Sequence, residues 1–343
     1  MTSKERVLAA IAHRATDRVP LDFWAEEVVW RRLMRELGLS SKSALLSRLN
    51  IDLRWIDHRY IGPDFSHPRG ETIENMWGER FRIMPNGDRV ACGGALDRVQ
   101  TFEEIARHHW PSNDWVSYSH LRESARRDGE YAMVYGYADI WQRAAMIRGL
   151  DNMFFDMLER PEWVDYMTGK LMDFYIEDWT RAMEETEGRI DLFFLISDLG
   201  TQRGPMISLD LFRRFIKPRI QRMAELAHGF GKKLLFHSCG AVRSFIEEMI
   251  EAGVDALNPM QTGCAGMNPK ELKTDFGARL CFHGGMDIQR ALPFGTPEEV
   301  RTETKKMLEA MKGDGGFILA PSHTLLPDIP TENILAMYDC AVQ

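Results

Sequence analysis

Short apolar runs recur along the chain, and each is followed by a stretch whose apolar positions repeat at helical spacing. The runs centre near Val19, Leu53, Met133, Phe193, Leu235, Leu257, Phe282 and Ile318. They are apolar throughout rather than alternating, as strands buried on both faces of a parallel sheet must be. Repeated alternation of strand and helix predicts an α/β fold, a (β/α)8 TIM barrel. The rival is an open doubly wound sheet. It is weakened because no G-x-G-x-x-G or P-loop pattern follows the first run.

Ahead of the first strand, Thr2 or Ser3 can cap a helix that carries Val7, Leu8 and Ile11. A second helix is expected over roughly Glu26 to Leu37. The segment "SLDLFRRFIKPRIQRMAELAHGF" reads as a helix capped by Ser208, with Pro218 as a point of kinking. Between about Pro63 and Arg127 the regular pattern breaks. In "WGERFRIMPNGDRVACGGALDRV" polar and apolar positions alternate around Asn86-Gly87, a strong turn signal. This predicts an inserted antiparallel β-hairpin. The expected organisation is a single barrel domain over 1–343, with an N-terminal helical segment and an insertion at about 63–127.

The length of 343 residues suits one large barrel, and 44% hydrophobic residues supply a large core. The net charge of −8, with no basic tract, argues against nucleic acid or an anionic membrane as partner. The opening "MTSKERVLAAIAHR" lacks the apolar region of a secretory signal, and no run approaches the roughly 18 apolar residues of a membrane span. The five cysteines, Cys92, Cys239, Cys264, Cys281 and Cys340, are odd in number and unevenly spaced. That speaks against a disulfide framework and for a reducing, cytoplasmic setting. Cys281 and Cys340 read as core thiols and Cys92 as structural. The 20 methionines read as core filler.

Active sites of such barrels lie at the C-terminal ends of the strands. Here the fourth strand ends in Asp198, the fifth in His237 and Cys239, and the sixth in Asn258 and Gln261. The seventh ends in His283 and Asp287, and the eighth in His323. Five successive strands therefore deliver polar residues to one rim, which predicts an enzyme. In "KLLFHSCG" the histidine and cysteine are two apart, so both face one centre along a strand. Imidazole and thiolate are good zinc ligands, and a catalytic zinc takes three protein ligands with one open position. The third ligand is expected to be His323, with Cys264 as the alternative. Cys239 as a nucleophile with a histidine base is the competing reading. Asp198, Asp287 and His283 are the acid–base or substrate-orienting candidates, and Asn258 and Gln261 the substrate-binding ones.

The stretches "FHSCG", "NPMQ", "FHGGMDIQ", "SDLGTQRGPMIS" and "ILAPSHTLLPDIPTENILAMYD" together resemble the uroporphyrinogen decarboxylase superfamily, from Asp191 onward most strongly. The resemblance implies one of two kinds of enzyme. One decarboxylates uroporphyrinogen without metal. The other is zinc-dependent and moves methyl groups between corrinoid proteins and small acceptors such as thiols. True decarboxylases carry an arginine-rich segment after the first strand for the substrate's carboxylates. This chain has "RVPLDFWAEEVVW" there, with Glu26 and Glu27. The methyltransferase branch has His-x-Cys on the fifth strand, as His237 and Cys239 are placed here. Its usual third ligand is a cysteine near the end of the last strand, where this chain offers His323.

The resemblance thus implies zinc held by His237, Cys239 and His323, with Asp198, Gln202 and Asp287 orienting the small molecule. Tyr135 and Tyr137 would line the pocket. No D-x-H-x-x-G motif for cobalt appears, so the corrinoid (methylcobalamin) is expected on a separate partner protein. A methoxylated compound undergoing O-demethylation is the other substrate class implied, and a homodimer the implied assembly. A metal-free lyase and a non-catalytic tetrapyrrole-binding barrel are the alternatives.

Overall fold

The computed structural model describes residues 1–65, 72–84 and 89–342. Seven parallel strands form a curled sheet: β1 (Leu53–Ile56), β2 (Ala132–Asp139), β3 (Leu192–Ile196), β4 (Lys233–His237), β5 (Ala256–Met260), β6 (Cys281–Met286) and β7 (Phe317–Pro321). Their order in the sheet is their order in the chain, with helices in the connections. Both faces of each strand are buried, which is why the runs are continuously apolar. In β3, Leu192 and Phe194 point into the barrel, whereas Phe193 and Leu195 join the shell packed by the helices. Val7 and Ile11 of the first helix (Ser3–Ile11) fill the same inner core as Leu53, Leu235 and Ile318. Thr2 caps that helix through a capping box with Glu5.

The first expected strand, near Val19, is not a regular strand. The chain there makes only isolated parallel bridges, Leu21 to Leu319 and then Ala25 to Leu325, and the first closes the ring between β7 and β1. On one side Asp22 N donates to Leu319 O and Leu319 N to Pro20 O, and on the other Asp52 N donates to Leu21 O. The ladder cannot extend. Pro20 has no N–H to give, and the Leu21 N–H is taken by the Asp52 side chain at 2.8 Å. Asp52 is the pin of this seam. It is fully buried and accepts from Arg6 Nη1 at 2.6 Å and Arg18 Nη1 at 2.7 Å.

The predicted hairpin is present. Glu79–Ile83 and Arg89–Gly94 pair antiparallel, and Thr72–Glu74 adds a third strand. The Asn86-Gly87 turn itself lies outside the described residues. The helix capped by Ser208 is continuous to Gly229 but changes its winding on the way. A π-type turn at Phe212–Ile216 precedes the helix Lys217–Gly229, and Pro218 sits in that helix's first turn, where a missing N–H costs nothing. Among the described residues no helix is long and apolar enough to cross a membrane.

Replacing Asp52 by Ala would leave Arg18 without its carboxylate and Arg6 with Asp17 alone, and would free the Leu21 N–H at the seam. The expected outcome is a loss of about 3 kcal/mol of stability, read as a lowered urea midpoint. An unchanged midpoint would show that the seam closes without the ion pairs.

Candidate metal centre

Strand β4 ends at His237, and the alternation of the extended chain turns Cys239 to the same side. His237 Nε2 and Cys239 Sγ are 3.3 Å apart. His323 follows β7 on the same rim, its ring centroid 6.0 Å from that of His237. One ligand atom each of His237, Cys239 and His323 lies within 4.8 Å of the others. A tetrahedral zinc with bonds of about 2.0–2.3 Å sets its ligand atoms about 3.5 Å apart, so these donors match that ion in type and spacing. Cys264, the alternative third ligand, is buried and outside this cluster.

The turn after Cys239 depends on two glycines. Gly240 has a φ of 88°, and a Cβ on it would fall 2.4 Å from the Gly200 carbonyl carbon. A Cβ on Gly200 would meet Cys239 O and Ala241 N at 2.7 Å. Without side chains the two backbones touch, and the loop after β3 lies flat on the turn after β4. That contact carries Asp198 to the site. Its Oδ1 accepts the Cys239 N–H at 2.9 Å and stands 3.4 Å from His237 Nε2. Gln261 Oε1 accepts the Gly240 N–H at 2.8 Å and holds the turn from the other side.

Behind His237 runs a buried series of hydrogen bonds. His237 Nδ1 donates to Asn258 Oδ1. Asn258 Nδ2 donates to His283 Nδ1 at 2.5 Å, and His283 Nε2 donates to Asp22 at 2.9 Å. Chemistry fixes these directions. The amide nitrogen only donates, so His283 carries its proton on Nε2, facing the carboxylate. The amide oxygen only accepts, so His237 carries its proton on Nδ1. Its Nε2 lone pair is therefore free and faces Cys239. Asp22 is held in turn by the Trp55 indole N–H at 3.1 Å and the Phe23 N–H at 2.8 Å. Trp24 stacks on the His237 ring, with centroids 5.8 Å apart.

Electrostatics fit a cation at this point. Burial and the neighbouring Asp198 push the Cys239 thiol far above its usual range. Burial and the neighbouring His237 lower the His323 pKa, which keeps its ring neutral with a lone pair to offer. Burial works against ionisation of Asp198, but the neighbouring His237 ring and the Cys239 N–H outweigh this and hold its pKa low. A carboxylate beside a buried thiol and two imidazoles is an arrangement that a divalent cation would invert, drawing off the thiol proton.

The other expected site residues are distributed more widely. Asn258 and His283 stand behind His237 rather than in the open rim. Tyr137 is half exposed at the mouth, packed near Trp55 and Phe194. Tyr135 is fully buried and turned outward, its hydroxyl donating to Asp178 at 2.9 Å. The cause is Gly136, whose φ of 87° and the irregularity between Tyr135 and Ala138 break the alternation that would have put both tyrosines on one face. Gln202 reaches Gln289 at 3.2 Å, and Asp287 accepts the Gln289 N–H at 2.7 Å, so both brace loops. Asp287 lines a different cavity with Arg290, Glu299 and Glu303. Cys92, expected to be structural, is exposed. Asp22 and Trp24 are the contributors that sequence reasoning missed. The available signal was an acidic residue inside the apolar run "VPLDFW".

Residues 126–343 match the family described as uroporphyrinogen decarboxylase (URO-D). Uroporphyrinogen decarboxylase of Vesicomyosocius okutanii is 32% identical over 85 residues, 23% of this chain and 24% of that protein. The one from Ruthia magnifica is 22% identical over 191 residues, 53% of this chain and 50% of that protein. The matched stretches thus span a quarter to a half of these relatives. Among solved structures, a methyltransferase from Methanosarcina mazei superposes with a TM-score of 0.73 at 18% identity, covering 100% of this chain and 98% of that one. At that identity the likeness shows a shared fold.

A methyl group at Gly240 would push the Asp198 loop off the site. Gly240→Ala is expected to cost about 2 kcal/mol or more, measured by thermal or urea unfolding. A wild-type midpoint would mean that the loop contact is slack.

Proposed function

The chain belongs to the uroporphyrinogen decarboxylase family, and within it we propose a zinc-dependent methyltransferase. It moves a methyl group between the cobalt of a corrinoid held by a separate protein and a small thiol or methoxylated molecule. The observation that carries this reading is the convergence of His237, Cys239 and His323 at the barrel mouth. Three protein donors with a fourth position open are the pattern of a catalytic zinc rather than a structural one.

Zinc bound there supplies Lewis acidity to a thiol or an ether oxygen in the open position. The protein does the remaining work. Asn258, His283 and Asp22 keep the His237 lone pair aimed at the site. Asp198 stands next to the ligands with its side chain 32% exposed, where it can orient the small molecule. The open C-terminal rim is the docking face for the corrinoid protein. Decarboxylation of a substrate rich in carboxylates finds less support, because the segment after Pro20 sends Asp22 and Trp24, rather than arginines, towards the barrel centre.

Protein purified without chelator is expected to hold near one zinc per chain by elemental analysis, lost in both Cys239→Ala and His323→Ala. Asn258→Leu should keep the ligands yet weaken zinc binding about 10- to 100-fold, measured by chelator competition. The loaded wild type should then exchange methyl groups with cobalamin when offered a thiol or a methoxylated donor. Absence of zinc in the wild type, with no uptake on addition, would overturn the proposal and leave metal-free decarboxylation through Asp198 to be tested.

A further inference from the structure

Beside the metal centre lies a cavity of about 350 Å3 that the ligand set does not occupy. The helix Trp141–Arg148 contributes Trp141, Ala145 and Met146, and the loop after β3 contributes Asp198 and Met206. The opposite wall is the inserted sheet, through the edge strand that carries Cys92. Among the described residues Asp198 is the one charged side chain of this lining. It is also the residue that accepts the Cys239 N–H, so the cavity ends at the metal centre.

The inserted wall is fixed in place. A Cβ on Gly94 would fall 2.1 Å from Ile147 O, so strand and helix meet backbone to backbone. Leu96 N donates to Ile147 O at 3.0 Å. The buried Arg148 guanidinium then ties Leu96 O to Asp156, both at 2.7 Å.

We propose that this cavity holds the body of the methyl-carrying small molecule, and that this molecule is an uncharged methoxyarene. The assignment deepens the function proposed above and rests on it for the chemistry at the metal. Three features support it. The volume is at the small end of ligand sites, room for a substituted ring but not for a tetrapyrrole. Among the described residues no lysine or arginine lines the cavity, so a carboxylate or sulfonate buried there would lie close to Asp198 without a cation from this lining, at a large cost in desolvation and repulsion. Trp141 and the thioether residues Met146 and Met206 are part of the lining, and aromatic and sulfur surfaces suit another ring. The methoxyl end of such a ring is then directed towards Asp198 and the open metal position. In this arrangement the insertion is a wall of the substrate site.

The test uses methoxybenzene as the neutral probe and 4-methoxybenzoate as its charged counterpart. Saturable binding of methoxybenzene by calorimetry is expected, with the benzoate at least tenfold weaker. Cys92 is an exposed thiol of the lining, so methoxybenzene should slow its alkylation by N-ethylmaleimide at least fivefold. Ala145→Trp fills the cavity from the helix side and should weaken binding at least tenfold with zinc content unchanged. Cys92→Trp does the same from an exposed strand edge, where folding is not at stake. No saturable binding, no protection of Cys92, or equal affinity for the benzoate would overturn the proposal. The same titration on Cys239→Ala separates the two claims, since methoxybenzene that still binds without zinc leaves the cavity assigned even if the metal reading fails.

Discussion

The proton on His237 Nδ1 is the constraint from which the rest of the site follows. An imidazole with that proton fixed has one lone pair and one direction in which to offer it. Without the Asn258 acceptor, the ring could turn or carry its proton on the other nitrogen. Cys239 and His323 would then be two donors where a catalytic zinc needs three. Fixing one proton takes residues from four places. Asn258 stands opposite His237 across the β4–β5 pair, His283 is on β6, and Asp22 is on the segment that closes the ring. A shift of one residue in any of these registers would turn a polar member away from the barrel centre.

Much of this architecture was legible in the chain because periodicity is a physical property of burial. Strands buried on both faces must be continuously apolar, and seven of the eight expected ones are regular strands. The eighth is reduced to isolated bridges, because Pro20 and the Asp52 carboxylate occupy the positions a ladder needs. The pairing of His237 with Cys239 could be read from their spacing alone. His323 could be placed with them only through the barrel, which brings the ends of distant strands to one rim.

What the sequence concealed is hydrogen-bond direction and local backbone twist. Asn258 and His283 looked like residues that meet substrate, yet their partners are one another and the two ends of a buried series. Those partners are set by tertiary contact and leave no periodic trace. Asp22 was overlooked for a related reason, since one acidic residue barely alters the apolar character of the run around it. Tyr135 and Tyr137 share a spacing that normally means a shared face. A left-handed glycine between them cancels the rule, and only φ reveals it.

The seam between Leu21 and Leu319 also bears on how the molecule comes into being. Its two halves are almost the whole chain apart, and so are Asp22 and His283. As the polypeptide leaves the ribosome, the strands from β1 onward can stack in order, each on the one before. The ring stays open until the last strand emerges. His237 and Cys239 exist well before that moment, but the carboxylate anchoring the series and the third ligand are still missing or unplaced. On the proposed zinc chemistry, a ribosome-bound chain would therefore be a poor ligand, and tight capture of the ion would be a property of the finished barrel.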